Sequence, residues 1–198
     1  MTWRPVAARA ASLLLRYPDA EVHAALPLVR EALGGLPSDV STPLWRVVGY
    51  RAETDPVELA AQYVKVFDFR RRCCLYLTYF TCGDTRKRGE ALVGFTAAYK
   101  RAGLEVAGGE LPDFLPAVLD LAAADEGGWR LLRESRAGID LLHKALEAER
   151  SPYRHAVEAV GAMLPPASPA ELAATLRMAR TGPPAEFVGL APYGRQAP

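Results

Sequence analysis

Three stretches combine residue types and spacing that could do chemistry. The first is Gly83-Asp84-Thr85-Arg86-Lys87-Arg88-Gly89, which sets three cations behind an aspartate. If Asp84 caps a helix, those cations crowd its first turn, where the positive end of the helix dipole disfavours each by some tenths of a kcal/mol. Gly89 adds about 1 kcal/mol of helix cost relative to alanine. Stability alone would place acids there, so the run offers a cationic surface for an anionic or carbonyl-rich partner; the plainer alternative is a solvated charge run balanced by acids such as Glu90. The second stretch, Leu75-Tyr76-Leu77-Thr78-Tyr79-Phe80, holds more aromatic surface than one helix stripe can face inward, because residues one or two apart point in different directions. Part of it belongs to the core, and the remainder can line a groove for the apolar face of a partner helix. The third, Glu110-Leu111-Pro112-Asp113-Phe114-Leu115-Pro116, has the form of a helix entry with Asp113 as cap, plus one carboxylate more than a cap needs. Glu110 and Asp113 can pair with Arg86 or Arg88 across a cleft, or hold a basic residue of a partner.

Other reactive side chains form no catalytic pattern. There is no Ser/His/Asp grouping, no Gly-rich phosphate loop and no His pair at metal-binding spacing, so an enzyme is not expected. His143 and His155 fall among surface residues, and Arg70-Arg71-Arg72 is expected to be a solvated helix start. Cys73, Cys74 and Cys82 lack both disulfide-scaffold and zinc spacing and are expected to behave as small buried hydrophobes. A helical metal protein would need Cys74 and Cys82, eight apart, on one continuous helix, and no further ligand is evident.

The elements that must position these stretches are helices punctuated by Gly and Pro. Asp19 caps a helix whose Val22, Leu26, Val29 and Leu33 recur at helical steps before Gly34-Gly35. Ser41 and Pro43 open the next, Asp55-Pro56 another, and Asp84 a long one that ends at Gly103. Asp113 is expected to cap a helix carrying Phe114, Val118 and Ala122; Leu132, Ile139, Leu142 and Leu146 mark a further helix after Gly127-Gly128. Ser151-Pro152 and Ser168-Pro169 start the last two. The run Cys74 to Phe80 alternates like a strand, but one strand makes no sheet, and it is expected to be helical. The expectation is an all-α protein: one helical-bundle domain of about eight to nine helices over residues 1–180, with an extended or disordered tail over 181–198 that Phe187, Val188 and Leu190 can pin to the body.

Composition narrows the function classes. The chain has 198 residues, half hydrophobic and 24% charged, enough to form a core without disulfide or metal. A net charge of +1 argues against a domain-wide basic surface for nucleic acid. Arg4 and Arg9 precede the apolar residues 10–15, too short for a signal peptide, and no run approaches a membrane span, so a cytoplasmic protein without membrane insertion is expected.

On Phe67-Asp68, residues 70–73 and 75–79, the run Gly83 to Gly89 and Glu110 to Pro116, the chain resembles the NarJ family of respiratory nitrate reductase molybdenum-cofactor assembly chaperones, the delta subunit, within the redox-enzyme maturation chaperones. The match is dense from Tyr63 to Ala123 and looser on either side. The resemblance implies an all-α fold without catalysis or a resident cofactor. It implies a chaperone that holds the nitrate reductase catalytic subunit open and cofactor-free, recognises that subunit's N-terminal amphipathic segment, and leaves once the cofactors are in place. For such a chaperone the three stretches offer as client-binding residues Leu75, Tyr76, Tyr79 and Phe80 as apolar wall, then Asp84, Arg86, Lys87 and Arg88 with a cationic rim, then Glu110, Pro112, Asp113 and Phe114 with an acidic rim. The wider group commonly has His where this chain has Phe114, so no titrating ring acts there. Monomer and dimer both remain open. Competing readings are a chaperone of another molybdoenzyme and a helical DNA-binding regulator that uses the helix from Asp84 to Gly103 for recognition.

Overall fold

A pair of helices that can approach closely forms the centre. The first, α1 (Arg4–Leu15), presents Ala7, Ala8, Ala10 and Ala11 beside Leu14 and Leu15, all buried. Alanines leave room for α7 (Leu115–Ala124), which is apolar and buried on nearly every side, as a helix at the middle of a bundle must be. Ser12 Oγ donates to the Pro116 carbonyl at 2.9 Å and fixes the register of the pair. The computed structural model describes residues 3–83 and 86–181.

The other elements wrap this pair. They are α2 (Ala20–Leu33), α3 (Ser38–Glu53), α4 (Pro56–Phe67), the short α5 (Leu77–Cys82), α6 (Arg86–Arg101), α8 (Glu126–Glu134), α9 (Arg136–Ala148), α10 (Arg154–Met163) and α11 (Pro169–Thr181). Helix α10 packs on α3, α9 and α1; α2 covers α1; α8 packs on α7; α11 lies on α9. One hydrophobic cluster runs through most of them, from Ala7 to Leu164.

The all-helical expectation holds among the described residues, with eleven α-helices rather than eight or nine. The apolar residues 10–15 belong to α1, which packs against α7 at the centre of the fold. The segment from Leu132 to Leu146 is two helices broken at Ser135, and a step of seven from Leu132 to Ile139 fits a helix with or without that break. Helix α3 starts at Ser38, upstream of Ser41, and carries Pro43 inside it. Arg71–Cys73 is a single 3-10 turn, not the start of an α-helix. The tail over 182–198 and the cap Asp84 lie outside the described residues.

Helix-end signals that act within a few residues behave as their types predict. Asp19 accepts from Val22 N–H at 2.8 Å, Asp55 from Val57 N–H at 2.9 Å, and Ser168 and Glu171 cap each other reciprocally. Gly103 ends α6 at φ 67, in the left-handed conformation that favours glycine. Gly127-Gly128, expected to separate helices, instead lies inside the first turn of α8, capped by Asp125. The reason is contact with α7: a Cβ on Gly128 would lie 2.2 Å from Ala122 N, against backbone.

Gly128→Ala is therefore expected to cost about 3 kcal/mol, because two helices must move apart. Gly127→Ala should cost clearly less, since only the Asp125 carboxylate must shift. Urea denaturation of the two variants beside the parent checks the order.

Candidate functional site

The aromatic, cationic and acidic stretches meet. Leu77 N–H donates to the Asp113 carbonyl at 3.0 Å and Leu115 N–H to the Leu75 carbonyl at 2.8 Å. These bonds make Tyr76 and Phe114 an isolated antiparallel bridge of the narrow, non-hydrogen-bonded kind, which brings opposing side chains close. Their rings lie 5.6 Å apart, tilted by 41°. The strand-like alternation of the aromatic stretch is thus real at Leu75 and Tyr76, and α5 begins just after them.

Tyr76 joins all three stretches. Its hydroxyl donates to Glu110 Oε2 at 3.1 Å, and the Arg88 guanidinium sits 5.6 Å from its ring centre. Burial, then the neighbouring Glu110 charge, push the Tyr76 phenol up to about 12, so it stays a proton donor at neutral pH. Beneath it lies Asp113, with no exposed surface. Asp113 does not cap the helix that follows it; α7 has no side-chain cap at Phe114. Instead Asp113 Oδ2 accepts from Thr78 N–H at 3.0 Å and from Thr78 Oγ1 at 2.5 Å, which caps α5 from another part of the chain. Arg88 Nε donates to the same Thr78 hydroxyl at 3.3 Å. A cation and a buried carboxylate are thereby linked through one hydroxyl.

The expected site residues divide. Tyr76, Tyr79, Phe114 and Pro112 are half-buried, and Glu110, Arg86 and Lys87 are exposed. Arg88 is half-buried against Tyr76. Leu75, Phe80 and Asp113 are all buried; Leu75 still borders a groove beside Tyr76, while Phe80 and Asp113 underlie the surface. Phe80 is only 4% exposed and packs its ring base on α9, where a Cβ on Gly138 would come within 3.2 Å of it. Asp84 lies outside the described residues. Gly83 links α5 to α6 at φ 57 and ψ −149, a conformation open essentially to glycine alone. Cys74 precedes α5 and Cys82 ends it, so the two do not share a helix face. Burial pushes the Cys73 and Cys74 thiols up to about 11, which favours the neutral thiol.

Tyr76, Phe114 and Glu110 form one wall of a groove of about 580 Å³. Leu13 of α1, Val22, Ala25 and Leu28 of α2, and Tyr63 and Phe67 of α4 add to its apolar lining. Beyond Leu13 and Leu28 it runs on into an apolar trough of about 330 Å³ along α1 and α2. Four carboxylates line the main groove: Asp19, Glu21, Asp68 and Glu110. Its arginines Arg9 and Arg16 are both committed to Asp120, at 2.6 and 2.5 Å. The accessible charge is therefore mostly negative, and Arg86 and Lys87 are not among the lining residues. Sequence reasoning missed the α1 and α2 side of this groove. One signal was present: Leu28 stands off the buried stripe of α2 and is 67% exposed.

Residues 17–159 match the family model described as nitrate reductase delta subunit. The nitrate reductase-like protein NarX of Mycobacterium tuberculosis is 40% identical over 160 residues, which cover 80% of this chain and 24% of NarX. The probable nitrate reductase molybdenum cofactor assembly chaperone NarJ of Bacillus subtilis is 36% identical over 129 residues, 63% of this chain and 68% of that protein. The corresponding chaperone NarJ of Escherichia coli K12 is 35% identical over 115 residues, 57% of this chain and 49% of NarJ. The chain thus spans about a quarter of the length of NarX and half to two thirds of the two NarJ proteins.

Thr78→Val keeps the shape but removes the hydroxyl, and Asp113→Ala removes the acceptor; each is expected to cost about 2–3 kcal/mol, because a buried polar partner is left unsatisfied. Thr78→Ser should stay near the parent. The double variant should cost much less than the sum, as for residues in one network. Chemical denaturation of the four variants beside the parent tests this, and additive losses would show that the link does not exist.

Proposed function

Because the chain belongs to the nitrate reductase delta subunit family, we propose that it is an assembly chaperone for a nitrate reductase. It binds the catalytic subunit through that subunit's N-terminal segment and supports molybdenum cofactor insertion before membrane assembly. It acts by binding and not by catalysis, and it works in the cytoplasm. No helix among the described residues is long and apolar enough to cross a membrane.

The observation that carries the reading is the groove. Its apolar lining and the trough beside it suit the apolar face of an amphipathic helix, and carboxylates on its margin suit basic residues flanking that face. The apolar anchors supply affinity in the water-excluded centre, and the charged margin sets orientation and on-rate. Tyr76 and Phe114 present a rigid wall because the bridge between their backbones holds both rings. A holding chaperone must also release its client, which favours moderate affinity. Cofactor insertion that stabilises a client state with its N-terminal segment packed elsewhere lowers the population able to bind, and release follows by mass action.

A synthetic peptide of the catalytic subunit's N-terminal segment is expected to bind this protein with micromolar or tighter affinity in a calorimetric titration, and a scrambled peptide is not. Leu28→Asp, on an exposed position of α2, should weaken binding about tenfold or more without lowering helicity. Glu21→Lys combined with Asp68→Lys should weaken it chiefly at low salt. Equal binding of both peptides by the parent would overturn the reading, and unchanged affinity in all variants would move the site off this groove.

A further inference from the structure

On the other side of α4 lies a second cleft with the opposite charge, of about 280 Å³, between α3, α4 and the turn from α9 to α10. Lys65, Arg70 and Arg150 line it, with Glu149 as the acid in its wall. Arg70 pairs with Glu149 at 3.6 Å, while Lys65 and Arg150 make no ion pair among the described residues. A further cation stands behind the wall. Arg51 is 1% exposed, lies 5.5 Å from the centre of the Tyr153 ring that lines the cleft, and donates to the Arg16 carbonyl, with no carboxylate bonded to it among the described residues. Glu58 stands nearby, bonded to Gln62, which in turn accepts from Tyr50. Counting both acids, cations still exceed anions by two. The end of α9 and the start of α10 meet at the cleft, so their dipoles oppose and the side chains decide the potential.

The backbone adds a second, independent observation. Arg150 holds φ at 52, the one positive value at a non-glycine among the described residues. It follows α9 in a position where helices usually end with glycine, with Ser151 N–H returning to the Leu146 carbonyl. An arginine gains nothing locally from that conformation, and strained residues of this kind concentrate at binding sites. Its neighbour Ser151 is buried, accepts from Tyr153 N–H, and lines the cleft with a hydroxyl able to donate.

We propose that this cleft binds a phosphate-bearing small molecule, with Arg150, Arg70 and Lys65 holding the phosphate oxygens and Tyr50 and Ser151 lining the remaining space. Guanidinium groups match phosphate geometry with paired N–H donors, and an ammonium adds a point charge. The volume exceeds what a lone phosphate occupies, so an ester or a diphosphate fits better than the free ion. The site is separate from the acidic groove and does not depend on the peptide-binding reading.

Arg150→Gly separates fold from function, because glycine is at ease at this φ: its melting temperature should equal or exceed that of the parent. Glycerol 3-phosphate and inorganic pyrophosphate are titrated into the full chain against sodium chloride at matched ionic strength, with amide chemical shifts recorded. Binding of both probes above the chloride control, shifts centred on Ser151 and Tyr153, and weakening of roughly tenfold in Arg150→Gly and in Lys65→Gln are expected. No binding beyond chloride, or variants that bind as the parent does, would overturn the proposal.

Discussion

A buried carboxylate with no cation bonded to it among the described residues is the constraint on which the surface of this protein depends. Asp113 has no exposed surface, and its Oδ1 has no hydrogen-bond partner among the described residues. What makes the burial tolerable is Thr78, which gives Oδ2 both its N–H and its hydroxyl and itself accepts from Arg88. The arrangement ties three segments at one point: the start of α5, the start of α6 and the strand-like approach to α7. Beside it the backbone bridge sets Tyr76 and Phe114 against each other, and Glu110 reaches the Tyr76 hydroxyl. Remove the link and the groove loses one wall.

How much of this was legible in the sequence depends on range. Asp19, Asp55, Gly103 and the Ser168–Glu171 pair act on backbone within a few residues, and their roles could be read directly. The site stretches could be named because their composition conflicts with helix stability, but not every residue in them is surface. Asp113 had the form of a cap for its own helix; only the fold turns it toward Thr78, 35 positions away. Gly128 could not be told from a linker glycine without knowing that Ala122 lies against it. The α1 and α2 side of the groove was hidden for the same reason, since the partner of α1 comes a hundred residues later.

Helix α4 gives the two cavities a common wall. Tyr63 and Phe67 line the acidic groove, while Gln62, Lys65 and Val66 line the cationic cleft. Between them Tyr153 packs edge-on to Tyr63 at 5.7 Å and on Phe67 at 5.1 Å. Tyr63 also donates to the Leu15 carbonyl, and Arg51 takes the next carbonyl, so the last turn of α1 is capped by this same aromatic cluster. A cation at a helix C-terminus is favourable, and here it does without a carboxylate because carbonyls and ring faces supply the negative partner.

The pairing of α1 with α7 also sets the order in which the molecule can be made. Ser12 and its acceptor Pro116 are 104 positions apart. At ordinary rates of translation, roughly 5–20 residues per second, α1 is synthesised about 5–20 seconds before the helix it needs. Through that interval α2 and α3, which also pack on α1, can cover part of its alanine and leucine face, but the part that meets α7 stays uncovered. Folding is therefore late and non-local for an all-helical chain, whose contacts are usually short-range. Until α7 emerges, the face of α1 that it covers stays open to solvent and to other chains.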